Sequence, residues 1–224
     1  MSKPKKTEQG LTLMECIVAI AVIALTSAMI GPPLVLAAAT RLQNRRAEQA
    51  SQIAQGEVDR IRTLVTLNQH ERQVLPEVTG EANLDAEAAP GGAIDQMQSI
   101  DSNCLGVTPY DGDPLPLGQA LPIDIDGDCE EDFLMQVFRD ETAISESEDD
   151  RVDEGRPSRF SMMVRVYAAS AGENFGDLET ELASLRFTSG RGNQSQRPLA
   201  VVKSEMSWSD SDGSLFCYHG DCDN

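Results

Sequence analysis

The chain has 224 residues, 40% of them apolar and 4% aromatic, with 18 basic residues against 37 acidic ones and a formal charge of −19. That balance excludes a generally nucleic-acid-binding surface, because neutralising phosphates needs Lys and Arg in excess. Twenty-two of the acidic residues lie between Glu77 and Glu154 against Arg139 and Arg151, so one stretch holds the acidity and the rest is near neutral. Taken in chain order, Lys3, Lys5 and Lys6 come first, and then residues 16–40, which carry no charge. At about 1.5 Å per residue this run makes roughly 37 Å of helix, against a hydrocarbon core of about 30 Å. A secretory signal also begins with basic residues, and Ala37 and Ala39 have the spacing of a cleavage site. Its apolar part is shorter, however, at roughly 7–15 residues. Glu15 sits at the leading edge of the run, and a carboxylate at a bilayer boundary is costly unless it is paired.

Gly10-Leu11-Thr12-Leu13-Met14-Glu15, after a short basic leader and before an apolar helix, resembles the prepilin signature of type IV pilins and type II secretion pseudopilins. The resemblance implies removal of a leader (1–10) by a prepilin peptidase that cuts after Gly10 and methylates the new N-terminus, Leu11. Leu11 departs from the family's usual Phe. Glu15 becomes the fifth residue, and in a filament of staggered helices it would meet a neighbour's α-amine in a low-dielectric core, where an unmade pairing is expensive. Ala19, Ala21, Ala24 and Ala28 allow close helix approach. Pro32 and Pro33, after Gly31, remove helical donors and are expected to kink or melt the helix there. More narrowly, LTLMECIVAIAVIALTSAMI and NRRAEQASQIAQGEVDRIRTLV look like the cyanobacterial hormogonium polysaccharide secretion pseudopilins. This implies a part in exopolysaccharide export and gliding motility. The implied partners are other pilins or pseudopilins, the peptidase and an inner-membrane assembly platform. The head would lie outside the cytoplasmic membrane, later in a periplasmic or surface filament.

From Arg41 to Leu67 apolar residues recur at threes and fours: Ala50, Ile53, Ala54, Val58, Ile61, Leu64 and Val65. This spacing predicts that one helix continues over 11–70 with one face packed under a head. Arg45, Arg46, Arg60 and Arg62 are placed on its polar face, where a solvated face or a partner for acidic neighbours outweighs the rival reading of a nucleic-acid patch. Positive charge does not settle orientation, since Lys3, Lys5 and Lys6 are matched by Arg41, Arg45 and Arg46.

Residues 71–224 form the acidic head. Residues 71 to about 132, rich in Pro, Gly and Asp, read as loops and short excursions rather than a packed element. Residues 133–139 and 159–168 are predicted strands, the second alternating Phe160, Met162, Val164 and Val166. Leu185–Phe187 and Leu199–Val202 offer two more. The expected fold class is α+β, with a long helix against a small antiparallel sheet, as in pilin heads. Ser145–Glu154 is a dense acidic run and therefore a solvated loop tip. Asp124, Asp126 and Asp128 alternate so that a turning loop aims their oxygens at one hard cation, and calcium stabilises some pseudopilin heads. The EF-hand pattern is not met, since Met135 stands where the closing glutamate belongs. Asp210, Asp212 and Gly213 form a weaker cluster.

Export permits disulfides. Cys104, Cys129, Cys217 and Cys222 allow three pairings. Spacing favours Cys217 with Cys222, which leaves Cys104 with Cys129; the rival use of Cys217, His219 and Cys222 is zinc. The two histidines, His70 and His219, have no nucleophile in a recognisable motif, and no phosphate loop occurs. The expectation is not an enzyme. The alternative to a filament subunit is a single-pass membrane-anchored binding protein, calcium-dependent or not, that never polymerises.

Overall fold

The structure, a computed structural model, describes residues 12–81, 83–101, 104–140, 157, 159–184 and 194–207. The chain divides into two compact units, Met1–Gln43 and Asn44–Asn224. Helix α1, Leu13–Thr66, contributes to both.

In the first unit α1 exposes Leu13, Ile17, Ile20, Ile23, Leu25 and Ile30. It is long and apolar enough to cross a membrane. Two threonine hydroxyls return to the helix, Thr26 Oγ1 donating to Val22 O at 2.9 Å and Thr40 Oγ1 to Leu36 O at 2.9 Å. Neither hydroxyl then needs water, a condition that a helix in hydrocarbon would have to meet. The expected melting at Gly31-Pro32-Pro33 is not found: α1 continues through all three. Two lost donors are not enough to end a helix whose neighbouring turns remain bonded.

In the second unit Ala50, Ala54, Val58, Ile61 and Val65 lie buried, with Ile53 and Leu64 packed beside them. Burying each branched side chain contributes about 1.5–3 kcal/mol. The helix ends in a Schellman turn. Asn68 adopts φ 60°, its amide donates to Val65 O at 3.2 Å, and the Gln69 amide donates to Leu64 O at 2.9 Å. Asn tolerates this left-handed conformation better than most side chains.

The sheet contains β1 (Gly92–Ala93), β2 (Gln96–Ser99), β3 (Thr108–Pro109), β4 (Gln119–Asp124), β5 (Phe133–Arg139), β6 (Arg159–Ala168) and β7 (Ala200–Ser207). Its order is β3-β2-β4-β5-β6-β7, with β1 also paired to β4. The expected antiparallel meander is present from β4 to β7, but β1 and β2 pair with β4 in parallel, and β3 with β2. The fold is α+β with a mixed sheet. Residues 71–132 are therefore not loops throughout: four short strands lie there, held by partners distant in sequence.

Both faces of the sheet are covered. Phe133, Met135, Val137, Phe160, Met162, Val164 and Val166 share a cluster with α1. On the other face Leu134 and Tyr167 pack with Ala171 of the 3-10 turn Ala169–Asn174. Phe138 and Met163 there meet Leu84 of the 3-10 turn Leu84–Ala86. Every residue of β5 is consequently buried. Arg165, 1% exposed, holds the 84–88 segment: Nη1 donates to Glu87 O at 2.8 Å and Ala88 O at 3.3 Å, and Nη2 to Leu84 O at 3.3 Å. Its guanidinium lies 5.0 Å from the Phe138 ring centroid. Burial pulls its pKa down, while Tyr167, Glu87 and Asp85 oppose that.

Candidate functional site

Two places carry the residues singled out by sequence, one in each unit. At the start of α1, Thr12 precedes the first helical residue and the Glu15 amide donates to Thr12 Oγ1 at 3.3 Å. Thr-x-x-Glu at a helix start is the capping-box pattern, in which the hydroxyl satisfies an orphan amide and an acid three residues on suits the helix dipole. The bond observed uses the Glu15 backbone amide, which any residue would supply, so the local use of the carboxylate is its charge at the positive end of the helix. Gly10 and Leu11 lie outside the described residues. Cys16 is a free, exposed thiol. Pro32 and Pro33 both lie within α1.

In the head, β4 ends at Asp124, where the chain must turn towards β5. Asp124 is 1% exposed and organises the turn as an acceptor. Its Oδ1 takes the Gly127 amide at 2.7 Å and the Asp126 amide at 3.2 Å. Its Oδ2 takes the Ser99 hydroxyl at 2.7 Å and the Cys129 amide at 3.0 Å. The Ser99 hydrogen bond is the chief reason its carboxyl lies below the usual range; burial opposes, and the amides of Gly127, Cys129 and Asp126 add to the lowering. The pattern repeats along the loop. Asp126 accepts from the Asp128 amide at 3.2 Å, and Asp128 from the Glu130 amide at 2.9 Å. Such side-chain turns are what Asp supplies in loops. The Asp128 amide pulls the Asp126 carboxyl down, but burial and the charges of Asp128, Asp132 and Asp124 outweigh it and leave it raised.

Cys104 is bonded to Cys129 with a Cα–Cα distance of 5.4 Å, which ties the segment after β2 to this turn. Cys217, Cys222, His219 and the cluster at Asp210, Asp212 and Gly213 lie outside the described residues, as do the 145–154 run and the expected strand at Leu185–Phe187.

One ligand oxygen each from Asp124, Asp126 and Asp128 falls within a 4.8 Å span. The three carboxylates are therefore gathered, but they do not fit calcium equally. A carboxylate offers about four lone-pair directions, and four donors already point at Asp124. Those donors set positive dipoles where a cation would stand. Asp126 and Asp128 are exposed and keep acceptor capacity. The arrangement works first as a latch that folds the turn, with two carboxylates left to solvent. Ser99 carries no signal in the sequence for this role, because its partner is 25 residues away.

Comparison with protein-family models, with curated proteins and with solved structures returns no match.

Proposed function

We propose that the chain is a minor pilin or pseudopilin: a structural subunit, not an enzyme, inserted in the cytoplasmic membrane with its head outside and built into a short filament. The observation that carries the reading is the coincidence of Gly10, Glu15 and a charge-free run of helix. Supporting it, α1 is a single 54-residue element whose first part exposes apolar side chains and whose last four turns are packed under an α+β head. The filament would serve exopolysaccharide secretion and gliding motility, by the likeness of 11–67 to the hormogonium pseudopilins. Its partners would be other pilins, the prepilin peptidase and the assembly platform.

A second reading is a membrane-anchored binding protein that does not polymerise, in which the Glu15 carboxylate serves only the positive end of its own helix. Mature mass separates the first steps: loss of residues 1–10 supports the subunit, and an uncut chain supports the anchor. Replacing Gly10 with a bulky residue should leave the precursor unprocessed. Glu15→Gln and Glu15→Ala both keep the backbone amide that Thr12 caps and both discard the charge, Gln alone keeping the shape. If Glu15 meets a neighbour's amine, both variants are cut yet fail to crosslink to filament partners, because the amine is left desolvated without a counter-charge. Incorporation of both variants at the wild-type level would refute the assembly role of Glu15 and leave the anchor as the better reading. Calcium, where it acts, would use Asp126 and Asp128. Titration calorimetry of the wild type against Asp126→Asn with Asp128→Asn tests that.

A further inference from the structure

We infer that the tip formed by residues 99–101, 104–107 and 125–131 is a docking surface for a protein that presents an apolar cleft rimmed by Lys and Arg. Leu105 is 98% exposed and Ile100 72% exposed, in a head that buries most of its other large aliphatic side chains. A single exposed leucine needs no explanation. Two on a braced tip do, because the bracing keeps them out of the core.

The bracing has three parts. Cys104, next to Leu105, is bonded to Cys129. The Asp101 amide donates to Ser99 Oγ at 2.9 Å, the hydroxyl that also holds Asp124. Gly127, at φ +82°, lies so close to Ile100 that a Cβ there would stand 3.3 Å from Cγ1. A surface held in one conformation loses little entropy on binding. Beside it is a cleft of about 140 Å³ lined by Met97, Ser99, Cys104, Val107, Pro109 and Tyr110, room for a partner's side chain to answer Leu105.

Charge selects the occupant. Asp126, Asp128, Glu130 and Glu131 are exposed, and no Lys or Arg occurs between Arg72 and Arg139. Two Cα–Cα steps of about 3.8 Å added to the 5.4 Å bridge keep Leu105 within about 13 Å of the backbone of Asp128 and Glu130. An anionic lipid surface, a nucleic acid or the same tip of a second copy would meet like charge at that range. A cationic protein surface meets opposite charge and gains both association rate and selectivity. Nothing here depends on polymerisation: a membrane-anchored monomer presents the same tip.

The test uses the full chain in its native membrane, with a photoreactive benzophenone residue replacing exposed Thr108 of β3. Illumination should give an adduct with another protein whose crosslinked peptide carries Lys or Arg around aliphatic residues. Leu105→Asp should lower adduct yield about tenfold or more, as loss of a central apolar anchor does. Leu105→Met should retain it, and Asp126→Asn with Asp128→Asn should weaken it and reduce its salt dependence, since Glu130 and Glu131 remain. An intact Cys104–Cys129 bond in each variant shows that the tip still folds. No adduct, an adduct with lipid or with a second copy, a peptide without basic residues, or a yield indifferent to Leu105→Asp would each overturn the inference.

Discussion

Among the described residues Arg165 is a buried cation with no carboxylate bonded to it, and its replacement separates the two things it does. The guanidinium satisfies carbonyls of the 84–88 segment and fills volume over Phe138. A hydrogen bond to a charged group contributes about 1.5–3 kcal/mol, and stacking on an aromatic ring about 0.5–2 kcal/mol. Against these stands the desolvation of the ion, several kcal/mol in effect. Arg165→Met removes the donors but also the desolvation penalty, and it keeps much of the volume. Its expected loss is only about 1–2 kcal/mol, because Ala88 is exposed and Glu87 partly so, and both carbonyls can turn to water. Arg165→Ala adds a cavity against Phe138 and the Leu84 contact, for about 3–5 kcal/mol. Arg165→Lys keeps the buried charge and loses the planar fork, so it should fall nearer Ala than Met despite its likeness to Arg. The assay is the urea midpoint of the detergent-solubilised chain by near-ultraviolet circular dichroism, with limited proteolysis between residues 80 and 92 as the local readout. A wild-type midpoint for Arg165→Lys, or an Ala variant within about 1 kcal/mol of wild type with the segment uncut, would refute the reasoning, since such a loss is ordinary for any substitution.

Removing the bond between Cys104 and Cys129, 25 residues apart, should lower stability by about 3–4 kcal/mol on chain-entropy grounds, read as the difference in urea midpoint between wild type and Cys104→Ser with Cys129→Ser. Gly127→Ala meets both a positive φ and Ile100 and should cost about 1–3 kcal/mol, measured by thermal melting; an unchanged melting temperature would refute the contact. Because the Asp124 carboxyl is lowered in the fold, its contribution is complete above the unfolded carboxyl's value of about 3.9 and is lost as pH falls through the lower folded value. Ser99→Ala should move the Asp124 titration, followed by carboxyl carbon-13 NMR, upward towards that ordinary value. An unmoved midpoint would show that the Ser99 hydroxyl is not the main cause.

Elements whose stability comes from neighbours along the chain are legible in the residues themselves. The 25 uncharged residues at 16–40 are legible from length and apolarity and the stripe from Ala50 to Val65 from helical period, and α1 runs through both. Phe133–Arg139 and Arg159–Ala168 are legible too, the second by its alternation and both by strand length and β-branched and aromatic content. Tertiary structure decides what depends on partners far along the chain. The Gln96–Ser99 and Thr108–Pro109 strands carry little signal of their own: the first exists because β4 supplies a parallel edge, and the second because β2 then supplies one in turn. The alternation in β6 marks one buried face, but Met163, Arg165 and Tyr167 are buried as well, because the segments at 84–88 and 169–174 close over the other side. Four cysteines leave three pairings open, and only the approach of the β2 and β4 ends joins Cys104 to Cys129. Alternating aspartates announce a turn with carboxylates in it. That Asp124 spends its acceptors on Ser99 and three amides, while Asp126 and Asp128 face water, is settled by where the turn folds, since a lone pair already accepting a hydrogen bond is not free for a cation.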